Sequence, residues 1–302
     1  MYTKDDIRRY FRVLNRTEQT SLCGLFLCKL VILVQRFCHL IQHKGLSQLS
    51  KSKLKELTAR KAKDVIVFAN GPSLRDLDFT KVKELTDSGE YDLIVVNSFA
   101  SKAIAQYGIV PFAGIFNDPA HYGGCPDHPL ASQFQEDIDT MNEFNIPTIV
   151  PYRYVRKSKF NNTVPICGFR DVYSQNVSNI HKPTGFYGLT AFYALALAMH
   201  LKYQNIYVCG YDNSYFKSFG VDMNNEKYLQ DEHFYDDESL SRRWMPTDLY
   251  GKTCDMFYDT YRHFMYLEKI AQLCPREVKI WNIAKTTYTD AFPRNFDLDI
   301  YK

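Results

Sequence analysis

Short runs of consecutive apolar residues recur along the chain after Lys63, and longer amphipathic stretches separate several of them. The apolar runs lie at 65–69, 93–96, 111–116, 147–150, 206–209 and 278–281. A run of this length without alternation is typical of a strand buried on both faces. The stretches at 79–88, 131–144, 184–201 and 256–273 have helical periodicity. Strands that alternate with helices predict an α/β fold built on a mainly parallel sheet.

The pattern differs before Lys63 and in one later segment, and these differences define the expected domains. Residues 1–62 are expected to form a basic helical arm, and residues 63–302 a single α/β domain. Within that domain, residues 216–255 are polar, acidic and aromatic. Because this segment is too long for a plain connection, we interpret it as a lid over an active site.

The net charge of +3 conceals two oppositely charged parts of the chain. Residues 1–63 contain 14 Lys and Arg against 4 Asp and Glu, a net charge of +10, so the remainder has a net charge of −7. Basic segments of this kind usually contact an anionic membrane surface or nucleic acid. We expect the membrane surface here, and no nucleic acid.

An apolar run at 22–34 lies inside this basic arm, with Lys29 near its middle. Its uninterrupted stretches are shorter than the roughly 20 residues that a membrane span needs. No small-residue cleavage site follows, so we do not expect a signal peptide. A helix lying on the inner face of the cell membrane fits this pattern. The alternative is a helix that packs on the body or on a partner chain, and a homo-oligomer stays open.

The eight cysteines indicate the cellular compartment. None of them forms a C-x-x-C pair, and no Cys and His spacing resembles a zinc site. Cys209 ends an apolar run and is expected to be a buried thiol. A reducing cytoplasm is the simplest interpretation of this pattern.

Candidate binding residues follow the predicted strands, because ligands of parallel sheets bind beyond the carboxyl ends of the strands. Gly71 would allow close backbone approach, and Ser73 would cap a helix whose N–H groups face a phosphate. The asparagine amides can donate and accept hydrogen bonds, which suits a nucleobase or ribose, although Asn also favours turns. Neither G-x-G-x-x-G nor a Walker loop is present, and a plain strand–turn–helix connection is the alternative. The candidates are Asn70, Gly71, Pro72, Ser73, Asn97, Asn117, Gly210 and Asp212.

A second candidate site precedes the long small-residue helix expected after Gly185. Thr184 is a natural N-cap, and Gly185 leaves room for a ligand above the helix end. With His181 and Lys182 just upstream, these residues predict an anion pocket for a nucleotide phosphate or a sugar carboxylate. A capped structural helix is the alternative interpretation.

The lid supplies the candidate general base. His233 lies among carboxylates, an environment that suits a base acting near neutral pH, and His121 is a second candidate. A solvated acidic loop is the alternative for the region of His233. The Asp-x-Asp pairs at 76/78, 137/139 and 297/299 do not directly follow predicted strands. We therefore expect no obligatory divalent metal and no other cofactor.

The residues assembled above resemble a known family. The run at 65–74 with its Asn-Gly-Pro-Ser-Leu, the two asparagines Asn97 and Asn117, and the stretch at 184–215 are similar to the Campylobacter-type sialyltransferases, glycosyltransferase family 42. They are also similar to the wider group that contains motility-associated glycosyltransferases and a pterin diphosphokinase. The resemblance covers about residues 63–295.

This resemblance implies a single Rossmann-like domain of the GT-A type. It also implies an inverting, metal-independent transfer of a CMP-activated acidic sugar, such as sialic acid, onto a glycan or lipid-linked glycan precursor of the cell surface. In the family the Asn-Gly loop and the second Asn contact the cytidine nucleotide, and a residue at the position of Thr184 contacts the donor. His233 is the closest match to the family's general base. The tyrosines nearest to those that bind the leaving phosphate are Tyr211, Tyr215 and Tyr235.

Two other functions remain open at this point. The pterin branch of the group suggests a diphosphokinase that uses ATP and Mg²⁺, with Asp118, Asp212 or Asp236 as metal ligands. A non-catalytic scaffold that binds a nucleotide and recruits partners through residues 1–60 is the third possibility.

Overall fold

The computed structural model describes residues 22–123, 131–171, 173–186, 189–225, 227–231, 243–246 and 253–302. The chain divides into two compact units, one ending at Gly45 and one running from Leu46 to Lys302. The described part of the first unit is dominated by helix α1 (Leu22–Gln42). Among the described helices, none combines the length and the apolarity needed to cross a membrane.

The described strands of the second unit are β1 Asp64–Phe68, β2 Tyr91–Val96, β3 Ala113–Ile115, β4 Thr148–Pro151, β5 Thr163–Ile166, β6 Asn205–Cys209, β7 Phe219–Val221, β8 Lys227–Asp231, β9 Arg243–Pro246 and β10 Lys279–Asn282. Seven of them form one sheet with the order β10-β6-β1-β2-β3-β4-β5. Every neighbouring pair in this sheet is parallel, which confirms the predicted α/β class. A second, antiparallel sheet of β7, β8 and β9 lies within the segment predicted as a lid.

Helices connect the strands of the large sheet, and local sequence signals define several of their ends. Helix α3 begins after Asp78, whose side chain accepts a hydrogen bond from the Thr80 N–H at 2.9 Å. Helix α4 ends at Gly108, which has a left-handed backbone with φ of 64°. The helices after α1 are α2 Lys44–Arg60, α3 Phe79–Asp87, α4 Phe99–Tyr107, α5 Ala131–Glu143, α6 Tyr152–Val155, α7 Thr190–His200 and α8 Thr253–Leu273.

Strand β1, which lies inside the sheet between β6 and β2, shows why the apolar runs lack alternation. Val65 and Val67 are buried in the hydrophobic cluster that includes most of α7. Ile66 and Phe68 are buried in the cluster on the opposite face, together with Phe79 at the start of α3. Successive side chains of a strand point to opposite faces, so a strand covered on both sides must be apolar throughout.

Helix α2 belongs to the second unit from Leu46 onward, although the sequence suggested a boundary at 62/63. Leu54 and Leu57 are buried in the same cluster as Val65 and Val67 of β1. The structural boundary at 45/46 therefore differs from the expected one, because these two leucines bury one side of α2 in the core.

Strand order places a topological switch point next to β1. The chain moves outward through β2, β3, β4 and β5 on one side of β1, whereas β6 and then β10 lie on the other side. Ligands of open parallel sheets bind beyond the carboxyl ends of the strands at such a point. The ends of β1, β2 and β6 are therefore the first place to look for a site.

Candidate functional site at the switch point of the sheet

A cleft of ≈ 210 Å³ opens beyond the carboxyl ends of β1, β2 and β6. Its walls also include the start of α7, part of α8 and the short helical turn Tyr215–Ser218. Of the residues predicted from sequence, the following line this cleft: Asn70, Gly71, Pro72, Asn97, Gly210, Tyr211 and Asp212. The ends of β1, β2 and β6 thus share one cleft, which Thr184 and Asn117 do not line.

Two glycines allow the loops after β1 and β6 to touch each other. The Gly71 N–H donates to the Gly210 carbonyl oxygen at 3.0 Å. A Cβ on Gly71 would lie 2.0 Å from Oδ2 of Asp212, and one on Gly210 would lie 2.7 Å from the Ala69 carbonyl oxygen. Gly210 also has φ of +76°, a conformation that favours glycine. Both glycines are therefore required for the close approach of two backbones.

Ser73 does not cap a helix, as the sequence suggested it would. The residue at the N-terminal cap of the turn Pro72–Asp76 is Gly71, and no side chain caps that turn. The N–H of Ser73 donates to Oδ2 of Asp212 at 3.1 Å, and its Oγ accepts from the Gly210 N–H at 3.1 Å. The serine therefore joins the loops after β1 and β6.

The loop after β1 also lacks the row of N–H groups expected to face a phosphate. Gly71 and Ser73 donate to the loop after β6, and Leu74 donates to the Gly71 carbonyl oxygen at 3.3 Å. Pro72 has no N–H to offer. Because these groups already have partners inside the protein, they are not available to a phosphate.

Asp212 acts as a structural acceptor at the floor of the cleft. Its side chain is 5 % exposed, and burial raises its pKa against the opposing effect of the hydrogen bonds from Ser73. The carboxyl group thus holds the loop after β1 in place. Asp118, by contrast, caps the turn Pro119–Tyr122 through the Ala120 N–H and does not line the cleft.

Three asparagine side chains around the cleft have buried polar atoms without a hydrogen-bond partner among the described residues. These atoms are Oδ1 of Asn70, Oδ1 of Asn97 and Nδ2 of Asn213. Asn97 and Asn213 have positive φ angles of 46° and 53°, which Asn tolerates better than most residues. Buried polar atoms normally have partners, so a cleft whose lining residues carry unsatisfied ones is a candidate place for a polar ligand.

Lys217 is the cationic side chain among the described residues that line the cleft. Its Nζ lies 4.7 Å from the centroid of the Tyr288 ring. His263 also lines the cleft, but burial and the nearby Arg262 lower its pKa to about 4. His263 is therefore neutral at physiological pH, and Lys217 supplies the positive charge that an anionic ligand would meet.

The candidate catalytic residues are not brought together by the described structure. Tyr211 is buried, its hydroxyl donates to the Ala191 carbonyl oxygen at 2.7 Å, and burial raises its pKa well above its ordinary value. This hydrogen bond joins α7 to the loop after β6. The Tyr211 hydroxyl is therefore not placed to bind a leaving phosphate, the role that the resemblance implied. Tyr215 begins the helical turn at the cleft, and only its backbone is described. His233 and Tyr235 lie outside the described residues.

The predicted anion pocket before α7 is wrong. Helix α7 begins at Thr190 and is preceded by Leu189, so Thr184 does not cap it. Thr184 instead bonds to the segment 169–171: its N–H donates to the Phe169 carbonyl oxygen, and its own carbonyl oxygen accepts from the Asp171 N–H. A Cβ on Gly185 would lie 1.9 Å from the Ser174 carbonyl oxygen, so this glycine serves packing.

The histidine of that pocket cannot supply a positive charge. Nδ1 of His181 lies 2.9 Å from Oγ of Ser50. Burial, followed by the neighbouring His200 and Lys51, lowers the pKa of His181 to about 4. It is therefore neutral near pH 7, and neither Thr184 nor Gly185 lines the cleft.

Asn117 and His121 lie away from the cleft as well. Oδ1 of Asn117 accepts from Nη2 of Arg153 at 3.0 Å, so this amide positions an arginine. Nε2 of His121 lies 3.0 Å from Oδ2 of the fully buried Asp137, which also accepts from Ser98 Oγ at 2.7 Å. This group is a buried polar network, and His121 is not placed to act on a ligand in the cleft.

Sequence reasoning missed Lys217 as a member of the site, whereas Asn213 is one of the asparagines that follow predicted strands. Asn213 directly follows the Gly-Tyr-Asp run at the end of β6, so the rule that selects Asn70 and Asn97 includes it as well. Lys217 does not directly follow a predicted strand. It lines the cleft because it lies in the turn Tyr215–Ser218, so the strand-end rule could not find it. In the part of the chain that the structure describes, no three His, Cys, Asp or Glu side chains cluster as metal ligands would.

Comparison with protein-family models and with curated proteins gives no match for this chain. The fold and the cleft define the class of protein: a Rossmann-like α/β domain with an asparagine-lined cleft at its switch point. The family resemblance described above depends on its motif residues alone.

Proposed function

We propose that this protein is a glycosyltransferase whose donor is a nucleotide-activated sugar, with a CMP moiety bound in the cleft at the switch point. The observation that carries the proposal is the set of three unsatisfied amide atoms of Asn70, Asn97 and Asn213 around that cleft. A nucleoside offers both donors and acceptors to such groups, and a nucleotide site at this point of a parallel sheet is the usual arrangement.

Cytosine is complementary to these three amides. Its exocyclic amino group donates hydrogen bonds, and the ring N3 and O2 atoms beside it accept them. The oxygens of Asn70 and Asn97 can accept from the amino group or from ribose hydroxyls, whereas Nδ2 of Asn213 can donate to an acceptor of the base. Rotation of a terminal amide has a broad, low barrier, so each group can turn toward a ligand at small cost.

Lys217 is suited to the phosphate of the same nucleotide. It is the cation of the described lining, and a monophosphate bound near it would gain a charge-assisted hydrogen bond. During transfer, the bond between the anomeric carbon and the phosphate oxygen breaks, and negative charge grows on the departing CMP. A nearby ammonium group stabilises that charge.

The lid residue His233 is proposed as the general base. It would take the proton of the acceptor hydroxyl as the hydroxyl oxygen attacks the anomeric carbon, which inverts the configuration there. The acceptor would be a glycan or a lipid-linked glycan precursor, and the sugar an acidic one such as sialic acid. Tyr211 and Thr184 have no part in this proposal, because the Tyr211 hydroxyl bonds to the Ala191 carbonyl oxygen and Thr184 does not line the cleft.

A nucleotide panel read by thermal unfolding tests the binding half of the proposal. Cytidine, CMP, UMP, GMP and ATP are compared with and without Mg²⁺. CMP is expected to raise the melting temperature most, without need of the metal. Stabilisation by ATP and Mg²⁺ alone would contradict the proposal and favour a diphosphokinase, and no effect of any nucleotide would end it.

Release of CMP from CMP-sialic acid in the presence of a glycan pool tests the chemical half. His233→Ala is expected to abolish sugar transfer while CMP binding stays unchanged. Full transfer by this variant, with unchanged binding, would exclude His233 as the base. Tight CMP binding by the wild-type protein without turnover of any CMP-sugar would indicate a nucleotide-binding scaffold instead.

A further inference from the structure

Helix α1 exposes large apolar side chains along its length. The exposed fractions reach 66 % for Phe26, 64 % for Phe37 and 63 % for Ile41. Leu30, Leu33 and Leu40 are between 46 % and 61 % exposed. Soluble proteins rarely leave a contiguous apolar surface of this kind uncovered, so it marks an interaction site.

These side chains form one continuous face. At 3.6 residues per turn, the six positions fall within an arc of about 100° around the helix axis. Leu27 and Val34, which are 52 % and 54 % exposed, widen that arc to about 140°. A two-stranded coiled coil needs a narrower seam than this, whereas a helix lying in a lipid interface uses a broad face.

Charge indicates which surface the apolar face meets. Lys29 and Arg36 lie along one border of the face, about 20–40° beyond Leu40 in the same projection. The sequence of α1 contains no Asp or Glu, and residues 1–63 as a whole have a net charge of +10. A basic border beside an apolar face is complementary to anionic headgroups above acyl chains.

We propose that α1 lies in the interface of an anionic membrane, parallel to its plane, with the face centred on Phe26, Leu30 and Phe37 in the acyl region. Lys29 and Arg36 extend to the headgroup phosphates, as long cationic side chains do beside apolar surface. The proposal does not depend on the proposed function, because it concerns a different unit of the chain. It would hold the protein at a membrane surface where lipid-linked substrates reside.

Vesicle co-sedimentation of the full chain tests this proposal. Vesicles of phosphatidylcholine with phosphatidylglycerol are compared with vesicles of phosphatidylcholine alone, at low and high salt. The wild-type protein is expected to bind the anionic vesicles at least about ten-fold more strongly, and salt should weaken that binding. Absence of binding to anionic vesicles, or equal binding to both kinds, would overturn the proposal.

Three double variants separate the contributions of the face. Leu30→Gln with Phe37→Gln removes apolar area without adding charge, and is expected to lower anionic-vesicle binding at least about ten-fold. Lys29→Gln with Arg36→Gln should lower that binding and its salt dependence together. Gln35→Ser with Gln42→Ser changes the opposite side of α1 and should bind as the wild-type protein does. All three pairs change mainly surface positions, so we expect the variants to keep the wild-type melting temperature. Measuring that temperature verifies that each variant is folded.

Sedimentation equilibrium without lipid tests the alternative that the apolar face of α1 binds a second copy of this chain. The proposal expects any self-association in solution to be unaffected by Leu30→Gln with Phe37→Gln. A stable dimer that these substitutions dissociate, together with vesicle binding that they leave unchanged, would show that the face joins two copies and would overturn the membrane assignment.

Discussion

The backbone N–H of Ser73 donates a hydrogen bond to Oδ2 of Asp212 over 3.1 Å, which joins the loops after β1 and β6 across 139 residues of sequence. Both residues are buried, and Oγ of the same serine accepts from the Gly210 N–H. The two loops therefore form one rigid floor beneath the asparagine side chains.

Removal of the Asp212 carboxyl group should weaken the floor. Asp212→Ala leaves the Ser73 N–H buried without an acceptor, which costs roughly 1–3 kcal/mol of unfolding free energy. Asp212→Asn retains an oxygen that can accept this bond, and the buried site already disfavours the charged form, so its loss should be much smaller. Urea unfolding at pH 7 measures both variants. Equal losses of unfolding free energy in the two variants would show that the hydrogen bond from Ser73 does not account for the stabilising effect of Asp212.

Gly71 should not tolerate a side chain. In Gly71→Ala the new Cβ would lie 2.0 Å from Oδ2 of Asp212 and 2.5 Å from the Gly210 carbonyl oxygen, so two backbones must separate. Overpacking of this kind costs about 1–3 kcal/mol or more. Gly45→Ala is the matched control, since nothing lies within 4 Å of its Cβ position and α2 favours alanine. Equal stability of the two variants in urea would refute the contact.

Strands of the large sheet could be predicted from the sequence where both of their faces are buried, because such strands consist of apolar residues throughout. The continuous apolar run of β1 is an example, because Val65 and Ile66 pack on opposite sides of the sheet. Strand β5 had no such signal, since its four residues include Pro165. A proline is tolerated there because β5 is an edge strand of the sheet, where a missing N–H leaves no neighbour unpaired.

Only part of the candidate site could be predicted, because some of its expected residues are placed by contacts between distant parts of the chain. Asn70 and Asn97 follow the strands that form the cleft, so position along the chain was enough to find them. Thr184 has the residue type of an N-cap, but local pattern cannot reveal that its backbone pairs with the segment around Arg170. Thr184 thus lies in this bridge, and α7 begins only at Thr190.

Acid sensitivity should arise in part from His181. The folded state lowers its pKa from 6.5 to about 4, so the unfolded state takes up a proton first as the pH falls. The resulting contribution to stability is present above pH 6.5 and is lost between pH 6.5 and about 4. His181→Gln, whose amide can still bond to Ser50, should reduce the loss between neutral and acidic pH by about 1 kcal/mol.

Urea unfolding midpoints of the wild-type protein and His181→Gln, recorded at several pH values, provide the measurement. The comparison between the two proteins cancels the titration of all groups that they share. Parallel pH profiles would show that His181 does not contribute to the acid sensitivity.

Lys217 should act on the phosphate and not on the nucleoside. If the proposed function is correct, Lys217→Gln removes a charge-assisted hydrogen bond, and CMP affinity should fall about ten-fold. Cytidine lacks the phosphate, so its affinity should stay within about two-fold of the wild-type value. Isothermal titration calorimetry compares the two ligands, and an equal loss for both would place the phosphate elsewhere.

The most direct test of the CMP site compares two asparagines that share a backbone conformation. Asn213 has φ of 53° and borders the cleft, whereas Asn145 has φ of 49°, is exposed and follows α5. Asn213→Asp replaces the unsatisfied Nδ2 donor by a charged acceptor, while Asn145→Asp makes the same change away from the site. In calorimetric titrations with CMP, we expect wild-type affinity for Asn145→Asp and a loss of at least about ten-fold for Asn213→Asp. Equal CMP binding by the two variants, or no CMP binding by the wild-type protein, would contradict the account.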